Sequence, residues 1–262
     1  MSLTIPQTEL IHDPWLIIGL LFVGICFGVI NTLAGGGSIL SLPALLFMGI
    51  SPHAANATNR VAGIVQTTGA TLAFLRAGAL REREVFTLGI YGFVGGVSGA
   101  WASLQISQDA MRGVIHVCLA AIALFTLMVP KTHFIDPPPP KKNSFSQFFW
   151  GVIVSFYGGF LQAGIGLLSL YYIRFICGHE MVRGTIYKTV YIWALTLPSL
   201  LVFTIHGEVK WAPGLLLAIG SLMGALIGVR LTLSDRGALI IRKTLPYVAL
   251  LMVTRLIWKT WG

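Results

Sequence analysis

Two basic residues stand where cations are expensive. Arg60 and Lys188 each lie one or two helical turns inside a long apolar segment, and no Asp or Glu occurs at comparable depth in the sequence. A cation buried in hydrocarbon costs a few kcal/mol on insertion scales, so it normally faces a cavity or a partner. Two such cations without carboxylates suit an anionic ligand; the competing reading is that both long stems snorkel to the nearest interface. Around Arg60, the residues Asn56, Asn59, Gly63 and Thr67 recur at helical spacing, and Thr185, Lys188, Thr189, Ile192 and Thr196 repeat part of that polar face. Arg174 sits closer to a segment end and fits either reading.

A second constellation is made of backbone. Ala34-Gly-Gly-Gly-Ser38 and Ala163-Gly-Ile-Gly166 interrupt apolar runs, and glycine tolerates the conformations that break a helix and leave main-chain N–H groups open. Short helices starting near Ser38 and Leu167 would aim their positive dipole ends at an anion. Against this, Gly35, Gly36, Gly37, Gly164 and Gly166 could simply permit close helix contact.

Other chemistry is poorly served. Cys26, Cys118 and Cys177 are odd in number and far apart, with neither disulfide nor zinc spacing. Ser38 lacks the Gly-x-Ser-x-Gly setting of a serine nucleophile, and no phosphate loop with lysine is present. No cofactor and no enzymatic activity are expected. His116 is the one titratable non-cationic side chain clearly within a span, and no carboxylate relay for protons is visible.

These residues must be positioned by membrane segments. The 262 residues are 55% hydrophobic and only 10% charged, too little charge to cover a soluble globule. Eighteen Lys and Arg against nine Asp and Glu are scattered at segment ends, as on cytoplasmic loops, rather than gathered into a nucleic-acid stripe. Charge-free runs at 14–59, 61–75, 85–108, 113–130, 143–173, 189–207 and 211–229 divide into five segments per half. They are 14–33, 38–50, 53–76, 85–104 and 109–129, then 145–163, 167–178, 181–205, 211–231 and 238–258, the second of each set short. A polar amino terminus through Asp13 has no basic region, so the first apolar segment is expected to be retained. Ser51-Pro52 opens the third segment as an N-cap and first-turn pair.

The stretch 131–143, with Pro137 to Pro140 followed by Lys141 and Lys142, reads as a stiff linker between one repeat at 1–130 and another at 144–262. Sliding the chain by 129 residues sets Ala34 on Ala163, Gly35 on Gly164, Gly37 on Gly166, Gly49 on Gly178, Thr67 on Thr196, Gly78 on Gly207, Gly95 on Gly224 and Gly99 on Gly228. Basic residues cluster at Arg76, Arg81 and Arg83 in the first half, but at Arg230, Arg236, Arg242 and Lys243 one loop later in the second. The bias swaps sides, so the fold expected is an all-α integral membrane protein of two homologous, inverted repeats. Five crossings per half would give that inversion; Arg255 and Lys259 would then face outward, and four spans per half in parallel is the alternative.

The run Gly28-Val-Ile-Asn-Thr-Leu-Ala-Gly-Gly-Gly-Ser-Ile-Leu-Ser-Leu-Pro43, with Gly49-Ile-Ser-Pro-His-Ala-Ala-Asn-Ala-Thr-Asn59 and Arg76-Ala-Gly78, resembles the first repeat of the TauE/SafE family of sulfite and organosulfonate exporters. Phe160-Leu-Gln-Ala-Gly-Ile-Gly166 with Gly178 is similar to its second. The resemblance implies a multi-pass permease of the bacterial cytoplasmic membrane that exports sulfite, sulfoacetate or related sulfonates without a nucleotide. Arg60 and Ile165 depart from the common pattern. The candidate substrate-binding set is Asn31, Gly35, Gly36, Gly37, Ser38, Asn56, Asn59, Arg60, Thr67, Gln162, Gly164, Gly166, Thr185, Lys188 and Tyr191. The partners expected are a small anionic substrate and membrane lipid, with a homodimer open and no nucleic acid. A non-transporting scaffold or accessory subunit that binds anionic lipid or a partner is the competing class.

Overall fold

A computed structural model describes residues 14–80, 82–128, 143–236 and 239. Its regular elements are helical: α1 (Pro14–Leu33), α2 (Ser38–Phe47), α3 (Pro52–Arg76), α4 (Glu82–Leu104), α5 (Gln108–Met128), α6 (Ser144–Phe160), α7 (Ile165–Tyr171) running into a π turn (Tyr172–Ile176), α8 (Met181–Ile205) and α9 (Trp211–Leu233). Three of them, α1, α8 and α9, are long and apolar enough to cross a membrane by length and composition. The helix expected from Leu167 begins two residues earlier, at Ile165. The segment expected at 238–258 apart from Leu239, the linker expected at 131–143 apart from Asn143, and the basic residues Arg242, Lys243, Arg255 and Lys259 lie outside the described residues.

Glycine sets which helices touch, because without a Cβ two backbones approach closely in lipid. Gly24 of α1 meets Gly220 of α9, Gly28 meets Ser221 and Ala225, and a Cβ on Gly228 would fall 2.7 Å from that of Thr32. Equal steps along both chains mean that α1 and α9 run in the same direction. In the same way Gly95 of α4 meets Val152, Ser155 and Phe156 of α6, and Gly99 meets Phe156 and Phe160. The third helix follows α9, with Gly214 against Thr58 and Val61, and Ala62 accepting from the Ser221 hydroxyl at 3.0 Å. Likewise α8 follows α4, with Gly92 against Tyr191 and Ala194, and the Gly96 carbonyl accepting from Ser199 at 2.9 Å.

Between these two parallel sets, α3 and α8 cross in opposite directions. Arg60 stands 4.8 Å from the Phe203 ring, Thr68 accepts from the Trp193 indole at 2.9 Å, and Phe74 shares an apolar cluster with Ile186.

The directions correct the expected count of crossings. The first helix starts at the end where α9 and α3 start, and α2 must return there to feed α3 across residues 48–51. Leu42 and Leu45 of α2 accordingly share a cluster with Leu20 and Phe27 of α1. Thus α1 and α2 form one helical hairpin that enters and leaves at the same end. By the same logic α6 and α7 form a second hairpin from the opposite end, where the Tyr172 hydroxyl donates to the Gln147 carbonyl at 2.8 Å. Each hairpin stands where two crossings were expected.

The described positive-φ residues are six glycines: Gly35 and Gly164, Gly49 and Gly178, Gly78 and Gly207. Each pair is separated by the 129 residues along which the sequence aligns on itself, so the backbone turns as well as the side chains recur at that offset.

Candidate functional site at the hairpin tips

The two hairpins meet at their tips. A Cβ placed on Gly35 would lie 2.1 Å from the Gly166 carbonyl carbon, and one on Gly166 would lie 2.2 Å from the Gly35 Cα. Of the two glycine readings, close contact is what these two residues provide, and at Gly35 a φ of +82° adds a conformation that disfavours any side chain. Each hairpin reaches past the middle of α3: the first to Gln66, fifteenth of its twenty-five residues, and the second to Arg60 and Asn56 in its first half.

Breaking α1 and α6 inside the protein strands their last carbonyls, since a helix end leaves four without an intrahelical donor. The cations answer this need across the two halves of the chain. Arg60 of α3 donates to the carbonyls of Gly158 at 3.0 Å and Gly159 at 2.5 Å, at the end of α6. Lys188 of α8 donates to the carbonyls of Asn31 and Thr32, both at 3.0 Å, at the end of α1. Both side chains are fully buried. They neither face an open cavity unpaired, as the sequence suggested, nor snorkel to an interface; each half supplies the cation that caps the other half's broken helix, where the dipole is negative. The Arg60 Nε keeps no hydrogen-bond partner.

Amides and hydroxyls complete a polar layer. Asn56 donates to the Phe160 carbonyl at 2.9 Å and accepts from the Gln162 amide at 3.2 Å, extending the cap on α6. Asn59 donates to the Gln162 side-chain oxygen at 3.1 Å and accepts from Ser41 at 2.5 Å, while Ser38 donates to the Gln162 carbonyl at 3.2 Å. Gly63 leaves the room Gln162 fills, for a Cβ there would lie 2.3 Å from its Nε2. On the other side Asn31 donates to Gln66 at 2.7 Å, and Gln66 donates to the Thr32 hydroxyl at 2.9 Å. Gln66, Ser41 and Thr32 escaped the sequence reading, although Gln66 follows Gly63 by three residues on the polar face and is a lone amide in mid-span.

Not every expected residue joins this layer. The Thr67 hydroxyl bonds the Gly63 carbonyl of its own helix at 2.7 Å. Tyr191 donates to the Gly151 carbonyl, more than two turns short of the α6 tip, and its ring packs on Tyr172. Thr185 is buried beside Lys188 with its hydroxyl unpartnered. The Gly36 carbonyl accepts from the Ile39 amide at 3.2 Å as α2 begins, and Gly164 at φ +67° turns the chain into α7. Arg174 is 1% exposed and stacks within 5.9 Å of Phe175, so it too is interior rather than at an interface. Of the acidic residues, Asp109, Glu180 and Asp235 are exposed and Glu208 is half-buried, and among the described residues no group of His, Cys, Asp or Glu could hold a metal ion.

The family model described as "Sulfite exporter TauE/SafE" matches residues 20–256. The chain is 30% identical over 252 residues to "Probable membrane transporter protein YfcA" of Escherichia coli, covering 95% of this chain and 93% of that protein. It is 26% identical to a "Probable membrane transporter protein" of Haemophilus influenzae, covering 90% and 92%, and 26% identical to "Probable membrane transporter protein ORF9" of a Sinorhizobium species, covering 88% of each. No solved structure matches. With a family match that spans both hairpins and the layer between them, the chain belongs to the TauE/SafE family and is a membrane transporter.

Proposed function

We propose that this transporter carries small sulfur-containing oxyanions, such as sulfite, sulfoacetate or related sulfonates, out of the cytoplasm across the cytoplasmic membrane. The observation that carries the reading is the charge of the layer between the hairpin tips. Arg60 and Lys188 are fully buried there, and among the described residues no carboxylate bonds to either of them. A helix C-terminus offers only about half an elementary negative charge. Roughly one positive charge of the layer is therefore left for a ligand to neutralise, in surroundings that screen it poorly. Sulfite and sulfonate oxygens suit such charge-assisted donors.

The two halves act as an inverted repeat in this proposal. Its support is the set of directions above, in which α1 opposes α6, α3 opposes α8 and α4 opposes α9. Arg76, Arg183, Arg230 and Arg236 stand with Glu180 and Asp235 at the end where α3 and α9 finish and α8 starts; at the other end Arg112 and Lys210 stand with Asp109 and Glu208. The first end is then cytoplasmic by the positive-inside rule. The hairpin α1–α2 dips in from outside and α6–α7 from the cytoplasm. An inside-negative potential assists an outward-moving anion by about 2.3 kcal/mol per charge per 100 mV, so no coupling ion or nucleotide is required.

Purified protein in vesicles loaded with sulfite, sulfoacetate, thiosulfate, sulfate or zwitterionic taurine tests this reading. Saturable efflux of sulfite or sulfoacetate that rises with an imposed inside-negative potential is expected. Efflux no greater than from empty vesicles, for every anion, would overturn it.

A further inference from the structure

The two hairpin interfaces are related by the 129-residue offset but differ in chemistry. At one of them Ser38, Ser41, Asn59 and Gln162 form a continuous hydrogen-bonded chain. The equivalent positions are Leu167, Leu170, Lys188 and Leu33. Three of those, Leu33, Leu167 and Leu170, are at most 2% exposed and pack in one cluster with Ile39 and Met181. Beside Lys188, which caps the end of α1, the second interface thus fills the same geometry with apolar side chains. Leucines would fill the first interface with no polar group to desolvate, so the polar chain built there points to a ligand.

Resting on the oxyanion reading above, we infer that substrate specificity is one-sided. The polar interface of α2, α3 and the α6 tip supplies hydroxyl and amide groups that exchange their hydrogen bonds with one another for bonds to the substrate's oxygens. The leucine interface of α1, α7 and α8 is a dry seal. The seal lies toward the end that carries Arg183 and Arg230, since Met181 begins α8 and Leu231, packed against the cluster, ends α9. An apolar constriction of this kind blocks ions by staying dewetted until the helices that form it separate. The anion therefore meets its selective contacts on the outer side of a cytoplasmic barrier.

Exchanging single residues between the interfaces tests this. Gln162→Leu copies the seal into the polar side; it is expected to lower the sulfite-induced rise in unfolding temperature and the apparent affinity for efflux about tenfold. The pair Leu167→Ser and Leu170→Ser copies the polar side into the seal. It is expected to keep the sulfite-induced rise and to raise basal efflux until it no longer saturates. Should Gln162→Leu fail to fold, Ser38→Ala, which removes one hydroxyl, is expected to weaken affinity about fivefold. Unchanged affinity in Gln162→Leu and Ser38→Ala, or loss of the sulfite-induced rise in a folded serine pair, would overturn the one-sided assignment. Absence of any anion flux in the wild type would instead sink the transport reading on which it rests.

Discussion

At the tip of α6 a guanidinium reaches two consecutive carbonyls and lies over the Phe203 ring, whereas at the tip of α1 an ammonium reaches two consecutive carbonyls alone. In the 129-residue alignment Arg60 falls on Thr189, and Lys188 on Asn59, so the cations are not equivalent by position. The recurring element is the need for donors. A broken helix inside a membrane protein leaves its last carbonyls open, and the third helix of the opposite half satisfies them. The contrast teaches that two halves of a chain can share a physical requirement while the residue that meets it shifts by one place and changes type.

Removing the caps should have the largest effect. Arg60→Ala deletes two charge-assisted hydrogen bonds and a ring contact, and is expected to destabilise the protein by about 3 kcal/mol or more. Lys188→Ala should cost somewhat less, since it has no ring contact. Thermal unfolding in detergent ranks the two, and the reverse order would break the comparison.

The glycine pairs come next. Gly35→Ala meets the Gly166 backbone and a positive φ, and should cost about 2–4 kcal/mol. Gly78→Ala has a φ of +67° but open space around its Cβ, so about 1 kcal/mol is expected. Equal losses at the two sites would mean that the hairpin tips do not touch. Gln66→Leu, which copies its counterpart Leu195, removes the bridge between Asn31 and Thr32 and should cost about 1–2 kcal/mol. The smallest effect is at the surface. Arg112 and Asp109 are paired at 3.7 Å while 60% and 93% exposed, so Asp109→Asn should alter stability by less than about 0.5 kcal/mol.

Much of the architecture was legible because hydrophobic runs and glycine breaks are local signals. The helix over 181–205 was bounded to the residue, and Gly35 and Gly164 were placed at the breaks they make. Local signals could not tell that α2 folds back on α1 rather than continuing across, because a short apolar helix reads alike in either case. The partners of Arg60 and Lys188 were hidden for a related reason. Sequence shows which side chains are charged, but backbone carbonyls carry no letter, and those of Gly158, Gly159, Asn31 and Thr32 became acceptors only when helices from opposite halves met. Tyr191 lies one turn beyond Lys188 on α8, and what separates it from the layer is the direction its ring takes toward Gly151.

The central claim is that the layer between the hairpin tips keeps uncompensated positive charge for an anion. Titration of the purified transporter with sulfite, following saturable binding in the wild type, Arg60→Lys and Lys188→Met, tests it most directly. Binding is expected to survive within a few-fold in Arg60→Lys, which keeps the charge, and to fall about tenfold or more in folded Lys188→Met, which loses it. Equal sulfite affinity in all three proteins would contradict it.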